Sequence, residues 1–399
     1  MSATCPSKRF WRRSGRRASP SRLPAPEPEK GSEIIESVRY KIARSLRQDK
    51  KERCHVKAVF VKEPRSLGVV TLPDPSPGPG EVLVRVRAAG ICGSDMHIYH
   101  GTNPLAKYPR VIGHEFAGEI VALGAGTEGL SLSGGRSLSI GDHVAADPVT
   151  SCGKCYPCSV GRPNVCSKLS VFGVHRDGGM AEFVAVPAAN AHIVPKDWPW
   201  EKAVMTEPFS IAANILSRTE CTARDSVLIL GAGPIGLTVL MSAVLLGARA
   251  AVADILDSRL ETARSLGAER VFNSKTQNLE EEARKWCEEG VPLIVDAVCI
   301  PELFPSLLRM ASPAGRIAHL SFAEAPAEIS PLEITKKELS IIGSRLNCNM
   351  FPRVIEWFGR GLEPEKLISH SFPFTQAREA FSLIEEKPLE TCKVVLTFK

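Results

Sequence analysis

The sequence predicts an α/β protein with two domains, one rich in short β-strands and the other a doubly wound parallel sheet. The chain has 399 residues, of which 44% are hydrophobic, and this is enough for two cores. In the first half, short apolar runs such as EVLVRVRAAG, HVAADPV and EFVAVP alternate with Gly/Pro turns. In the second half, SVLIL, ARAAVAD, PLIVDAVCI and GRIAHLSF are typical of buried parallel strands.

The first 55 residues differ in charge from the rest of the chain. They hold 15 Lys/Arg and 6 Asp/Glu, a net charge of +9, whereas the remainder carries −3. Their early composition predicts disorder, followed by a helix in EIIESVRYKIARSL. A transit peptide and a nucleic-acid or membrane tether are both open interpretations. We favour a third, an over-extended translation with the start near Val56, where VKAVFVKEP resembles a first strand.

The slightly acidic body argues against nucleic-acid binding by the globular part. No run of about eighteen apolar residues and no secretory signal occurs in the sequence. We therefore expect no membrane segment and a cytoplasmic location.

Four of the twelve cysteines lie in SCGKCYPCSVGRPNVC, a segment whose glycines and prolines predict a loop. Adjacent Cys-x-x-Cys pairs make poor structural disulfides, and the chain shows no secreted, cysteine-framed pattern. Four thiolates can instead surround one zinc ion at about 2.3 Å each and leave no position open. The spacing predicts a structural zinc site at Cys152, Cys155, Cys158 and Cys166.

Three other motifs predict a second metal site with a position open to substrate. Cys92 lies in GICGSDMHIYHG, His114 and Glu115 lie in VIGHEFAGEIVALG, and Glu207 lies in MTEPFSIAAN. Each motif offers a metal ligand next to glycine or proline. Three protein ligands with a water or substrate oxygen are typical of catalytic zinc.

A dinucleotide site is predicted where SVLIL runs into GAGPIG. Gly231 permits a tight turn, Gly233 lets the backbone approach a pyrophosphate, and Gly236 lets the following helix pack closely on the strand. Asp254 ends the next predicted strand, 23 residues after Gly231. A carboxylate there binds ribose hydroxyls and repels a 2′-phosphate, which favours NAD over NADP. Arg259 is expected beside the adenine.

These motifs, in this order and spacing, resemble the zinc-dependent medium-chain alcohol dehydrogenases over about residues 56–399. Glu207–Pro208 stands where classical alcohol dehydrogenases have a cysteine ligand, and in this the chain resembles the polyol and threonine dehydrogenase branch. The stretches NPLAKYPRVIGHE and FGVHRDGG resemble bacterial sugar-acid dehydrogenases. The resemblance implies a GroES-like catalytic domain at 56–208 that resumes at 345–399. It also implies a Rossmann domain, binding NAD, at 209–344.

The resemblance further implies roles for individual residues. Cys92, His114 and Glu207 would hold a catalytic zinc, and Glu115 would exchange with the metal or hold it through water. Ser94 and then His97 would pass a proton to solvent, and Asp95 would orient a ligand.

Substrate contacts are expected from GSRLNCNMF. Arg345 corresponds by context to an arginine in the polyol pocket of sorbitol dehydrogenases, and its guanidinium could bind a sugar-acid carboxylate. An inter-domain salt bridge is the other interpretation of Arg345. Lys107 and His175 are additional pocket candidates.

The leading hypothesis is a zinc- and NAD-dependent dehydrogenase, with two zinc ions per chain, acting on a polyol or a hexonate such as L-galactonate. Threonine 3-dehydrogenase and sorbitol dehydrogenase are open alternatives, as is a regulatory protein that uses the basic tail. The resemblance also implies a homodimer or homotetramer.

Overall fold

The computed structural model of the chain describes residues 55–127, 137–321 and 324–399. The basic tail and its predicted helix lie outside these residues. No helix in the described part of the chain is long and apolar enough to cross a membrane.

The β-rich part of the described chain contains three sheets. The central sheet includes two strands from the end of the chain, β17 (Ile368–Pro373) and β18 (Lys393–Thr397), and has the order β10-β6-β5-β3-β18-β17, with β9 also paired to β3. A smaller sheet has the order β2-β1-β4, and β7 pairs with β8. Alternate residues are buried over the first eight residues of β3, as expected for a strand with one face on a core, and its last four residues are all buried. The strand bounds are β1 His55–Glu63, β2 Ser66–Pro73, β3 Glu81–Ile91, β4 Arg110–Val111, β5 Glu115–Leu123, β6 His143–Ala146, β7 Val149–Thr150, β8 Ser170–Val171, β9 Phe183–Pro187 and β10 Ala191–Ile193.

The second half forms the predicted parallel sheet, with six strands among the described residues in the order β13-β12-β11-β14-β15-β16. Every residue of β11 is buried, because helices cover both faces of such a sheet. The strand order turns at β11, between β12 and β14, and ligands bind at the carboxyl ends of strands at such a point. The strand bounds are β11 Ser226–Leu230, β12 Arg249–Asp254, β13 Arg270–Asn273, β14 Val291–Asp296, β15 Ala311–His319 and β16 Ser340–Gly343.

The last two strands return to the first half of the fold. β17, Ile368–Pro373, pairs in parallel with β18, Lys393–Thr397, and β18 pairs antiparallel with β3. The domain limits at 208/209 and 344/345 stay predictions, and helix α4, Thr206–Arg218, spans the first of them.

The helices of the described residues supply the layers around the sheets. α4, α5 and α10 pack in one buried core that contains Ala88 and Val395 from the central sheet of the β-rich part and Val227 from the parallel sheet. Besides α4, the helix bounds are α1 Gly93–His100, α2 Tyr156–Ser159, α3 Trp200–Val204, α5 Pro234–Leu245, α6 Asp257–Ser265, α7 Leu279–Trp286, α8 Phe304–Met310, α9 Pro331–Thr335, α10 Phe351–Gly359 and α11 Ala377–Glu386.

The prediction of a continuous loop for the cysteine segment is wrong in part. α2 begins directly after Cys155 and forms one turn that contains Cys158, and Pro163–Val165 forms a turn of 3-10 helix. Proline at the start of each turn explains this, because proline is compatible with a first helical position.

Candidate functional site

The predicted open metal site lies where β3 gives way to α1. Cys92 directly follows the strand, and its N–H donates to Asp95 Oδ2 at 2.9 Å. Asp95 Oδ1 accepts the N–H of Gly113 at 3.1 Å, and the Asp95 side chain is fully buried. Asp95 therefore ties the loop of Cys92 to the loop that carries His114.

Cys92, His114 and Glu115 lie together, with one potential ligand atom from each within 4.8 Å of the others. A thiol, an imidazole and a carboxylate are a donor set that suits zinc. Ser94 Oγ lies 3.5 Å from His114 Nε2, at the margin of this group. Burial opposes a charge on His114, but Asp95 and Cys92 together raise its pKa well above the ordinary value.

Glu115 contacts a residue that the sequence did not single out. Lys393 Nζ lies 2.7 Å from Glu115 Oε1 and 2.8 Å from Oε2, and both side chains are almost fully buried. Burial opposes the charge on Lys393, yet Glu115 and Cys92 raise the pKa of this lysine. No local motif marks Lys393, since its partner is 278 residues away in the chain.

Glu207 lies near the group but outside the set of atoms within 4.8 Å. It sits in the first turn of α4, and its side chain is buried. Burial raises the pKa of Glu207 to about 8, with His114 and Lys393 acting in the opposite sense and Glu115 in the same sense. The structure thus places Glu207 in the same buried, charged region, and its role as a ligand stays a prediction.

The four cysteines of the second predicted metal site also come together. Their sulfur atoms all lie within 4.8 Å of one another, with Cys155 Sγ at 3.4 Å from Cys158 Sγ and 3.6 Å from Cys166 Sγ. A tetrahedron with about 2.3 Å metal–sulfur bonds has edges of roughly 3.8 Å, so the arrangement fits zinc. Hydrogen bonds from the N–H groups of Cys158 and Ser167 lower the pKa of Cys155 to about 5.

The glycine turn is closely packed at two of its glycines and open at the third. Gly231 has φ +94°, and a Cβ at Gly236 would lie 1.8 Å from the carbonyl oxygen of Gly231. By contrast, a Cβ at Gly233 would have no heavy atom within 4 Å. Gly233 lines a cavity of about 280 Å³, together with Arg259 and Lys366. A side chain at Gly233 would fill space that is open to a ligand.

Asp254 ends β12 beside this turn, as predicted. Its Oδ2 accepts the N–H of Ala232 at 2.8 Å and its Oδ1 accepts that of Leu256 at 3.0 Å. Arg259 Nη1 lies 4.0 Å from Asp254 Oδ2. The carboxylate thus holds the turn in place and lies at the carboxyl end of the strand, where a ribose would be bound.

Arg345 lies half-buried just after β16, and its carbonyl oxygen accepts a 2.7 Å hydrogen bond from Asn164 Nδ2. Burial first, and then the nearby Arg345 and Arg110, lower the pKa of His175. Arg345 and His175 are therefore close enough to interact, whereas Lys107 is exposed. The Asn164 contact could not be predicted from the sequence, because an asparagine in a turn belongs to no specific motif.

The alcohol dehydrogenase GroES-like domain family matches residues 78–196, and the zinc-binding dehydrogenase family matches residues 234–360. The starvation-sensing protein RspB of Escherichia coli K12 is 48% identical over 350 residues, which cover 86% of this chain and 99% of RspB. The chain belongs to the zinc-binding alcohol dehydrogenase family.

Two further members of the family are informative. The L-galactonate-5-dehydrogenase of Escherichia coli K12 is 32% identical over 333 residues, covering 81% of this chain and 94% of that enzyme. A crystal structure of a short chain alcohol dehydrogenase (rspB) from Escherichia coli CFT073, complexed with NADH, has a TM-score of 0.81 and 46% identity. That comparison covers 87% of this chain and all of the other.

Membership of the zinc-binding alcohol dehydrogenase family confirms three expectations from the sequence. The fold combines a GroES-like domain with a Rossmann-like domain, the protein is an oxidoreductase, and the family uses zinc and a nicotinamide coenzyme. Membership of the family does not by itself assign a role to any individual residue of this chain.

Proposed function

We propose that this dehydrogenase oxidises a secondary alcohol of a polyol or sugar acid, such as the hexonate L-galactonate, with NAD as the hydride acceptor. The observation that carries the proposal is the buried group formed by Cys92, His114 and Glu115. It brings a zinc donor set together at the end of a strand, in a fold that also contains an open glycine turn for a dinucleotide.

The catalytic zinc would be held by Cys92, His114 and Glu207, with Glu115 exchanging at the metal or acting through water. When bound, zinc acts as a Lewis acid that lowers the pKa of a coordinated hydroxyl and so favours loss of hydride from the carbon. Lys393 binds both carboxylate oxygens of Glu115 in a buried ion pair and so holds the carboxylate away from solvent. The four-cysteine site would hold a second, structural zinc.

The proton released from the alcohol would leave along α1. Ser94 is the first carrier, because its hydroxyl lies 3.5 Å from His114 Nε2 and so at the margin of the donor group. His97 follows three residues later on the same helix face and is exposed to solvent. Thr102 Oγ1 lies 2.9 Å from His97 Nδ1 and fixes the ring, which leaves Nε2 to exchange protons.

The coenzyme would lie along the glycine turn, with its pyrophosphate against Gly233 and its ribose hydroxyls on Asp254. A carboxylate at this position disfavours a 2′-phosphate, which supports NAD rather than NADP. The NADH bound in the related rspB structure also supports this choice.

Two observations favour a sugar acid as the substrate: the presence of Arg345 and the similarity of the chain to a sugar-acid dehydrogenase. The guanidinium can form two parallel hydrogen bonds to a carboxylate. The similarity to an L-galactonate-5-dehydrogenase points to the same class. Sorbitol and threonine are the alternatives to be compared.

The test is a substrate panel of L-galactonate, sorbitol and L-threonine with NAD or NADP, followed by NADH or NADPH absorbance with and without a chelator. We expect hexonate turnover with NAD that is lost on chelation and restored by zinc. Good turnover of threonine or sorbitol with none of hexonates would refute the substrate class. No turnover of any alcohol, together with salt-sensitive binding that requires residues 1–55, would instead support a regulatory protein.

A further inference from the structure

Residues 343–348, which we call the Arg345 segment, include a left-handed backbone conformation that surrounding contacts fix. Leu346 has φ +52°, and Asn349, just beyond the segment, has φ +56°. Left-handed conformations are costly for residues other than glycine and persist where surrounding contacts fix them. Such contacts surround the Arg345 segment on several sides.

Helix α4 holds the start of the segment. Arg218 Nε donates to Gly343 O at 2.8 Å, and Asn214 Nδ2 donates to Ser344 Oγ at 2.8 Å. Further on, Asn347 Nδ2 donates to Asp147 Oδ1 at 3.2 Å, in a fully buried contact.

The cysteine lobe, residues 152–166, holds the middle and end of the segment. Asn164 Nδ2 donates to Arg345 O at 2.7 Å, and Cys348 Sγ donates to Gly161 O at 3.2 Å. Asn164 lies between Cys158 and Cys166 and is 2% exposed. Its Nδ2 is directed at the Arg345 carbonyl, whereas its Oδ1 has no hydrogen-bond donor among the described residues.

The orientation of the Arg345 carbonyl affects the position of the Arg345 side chain. A change in the peptide plane at Arg345 swings a long side chain, and a displacement of about 1 Å at a binding group can cost 10²-fold in rate. Through the hydrogen bond from Asn164, the cysteine lobe can therefore influence where the guanidinium lies.

We propose that Asn164 is a positioning residue: through Arg345 O, the cysteine lobe orients the guanidinium and so sets the preference for carboxylate-bearing over neutral substrates. This inference rests on the proposed function, in which Arg345 binds the substrate carboxylate. It gives the cysteine lobe a part in substrate selection in addition to a structural one.

A double-mutant cycle tests the inference with the full-length, zinc-loaded enzyme. The variants are Asn164→Ala, Arg345→Ala and the combination, and the readout is the ratio of kcat/KM for L-galactonate to that for galactitol, which has CH₂OH in place of the carboxylate. Where galactitol is not turned over, it is measured as a competitive inhibitor. We expect Asn164→Ala to lower this ratio about ten-fold, mainly through the KM for the acid. In the Arg345→Ala background, Asn164→Ala should change the ratio less than about two-fold.

Thr150→Val is the matched control, because Thr150 Oγ1 also donates to a backbone carbonyl near the lobe, that of Ser170 at 2.9 Å. Zinc content and Tm are measured for every variant.

If Asn164→Ala affects both substrates equally, or acts only through zinc content or Tm, the contact is merely structural and the inference is wrong. If Asn164→Ala leaves the ratio unchanged while Arg345→Ala lowers it, the inference fails and the proposed function stands. If Arg345→Ala leaves the ratio unchanged, the carboxylate proposal itself fails, and the inference with it.

Discussion

Glu115 and Lys393 form a buried ion pair in which the ammonium lies 2.7 and 2.8 Å from the two carboxylate oxygens. Lys393 Nζ is also 3.4 Å from Ile91 O, the carbonyl that precedes Cys92. The pair therefore joins β18, the end of β3 and the candidate metal ligands in one buried contact.

We expect Lys393→Met to lower the free energy of unfolding by about 3–5 kcal/mol, because it leaves the Glu115 carboxylate buried without its partner. Denaturant unfolding of the zinc-loaded protein measures the change. Adding Glu115→Gln to Lys393→Met should recover much of the loss, and a double variant no more stable than the single one would contradict this explanation.

Two neighbouring glycines should respond differently to the same substitution. Gly233→Ala should fold normally, because a Cβ there meets no atom within 4 Å, but it should raise the KM for NAD by about ten-fold or more by occupying the pyrophosphate position. Gly236→Ala should destabilise the protein, because its Cβ would lie 1.8 Å from Gly231 O. Coenzyme titration and Tm separate the two effects, and unchanged NAD binding in Gly233→Ala would argue against the placement of the coenzyme.

Two cysteine substitutions should separate the predicted metal sites. Cys92→Ala should remove one zinc per chain and lower kcat/KM by about 10³-fold, with little change in Tm, since Lewis-acid stabilisation contributes several kcal/mol. Cys158→Ser should also remove one zinc but lower Tm by several degrees, because structural zinc binding is coupled to folding. Elemental analysis, activity and calorimetry are the measurements, with Cys221→Ala as a control outside both groups. Full activity in Cys92→Ala would refute the catalytic site.

His192 should make stability depend on pH. Burial lowers the pKa of His192 to about 4, and its ring stacks on Phe351. The unfolded chain binds a proton near pH 6.5 and the folded one does not, so this contribution is present above pH 6.5 and is lost as the pH falls towards 4. Between pH 7.5 and pH 5, the wild type should lose about 2 kcal/mol more than His192→Phe. Parallel pH dependences of the two proteins would show that His192 is not the cause.

The features that could be predicted from the sequence are those in which neighbouring residues in the chain are also neighbours in space. The four cysteines fall within fifteen residues and the three glycines within six, so their spacing alone defines a geometry. The Glu115–Lys393 pair and the Asn164–Arg345 contact join positions 278 and 181 residues apart. Such contacts depend on the topology of the sheets and cannot be predicted from local sequence motifs.

The pairing of β18 with β3 also has a consequence for how the polypeptide is made. Residues 394–397 pair with β3 beside Cys92. All strands of the parallel sheet lie between Cys92 and residue 394 in the chain and are therefore translated before residues 394–397. Contacts of such large sequence separation form slowly. During synthesis, the nucleotide-binding half has all its strands available while the candidate metal pocket still lacks a wall, so metal capture at that pocket would be a late event in maturation.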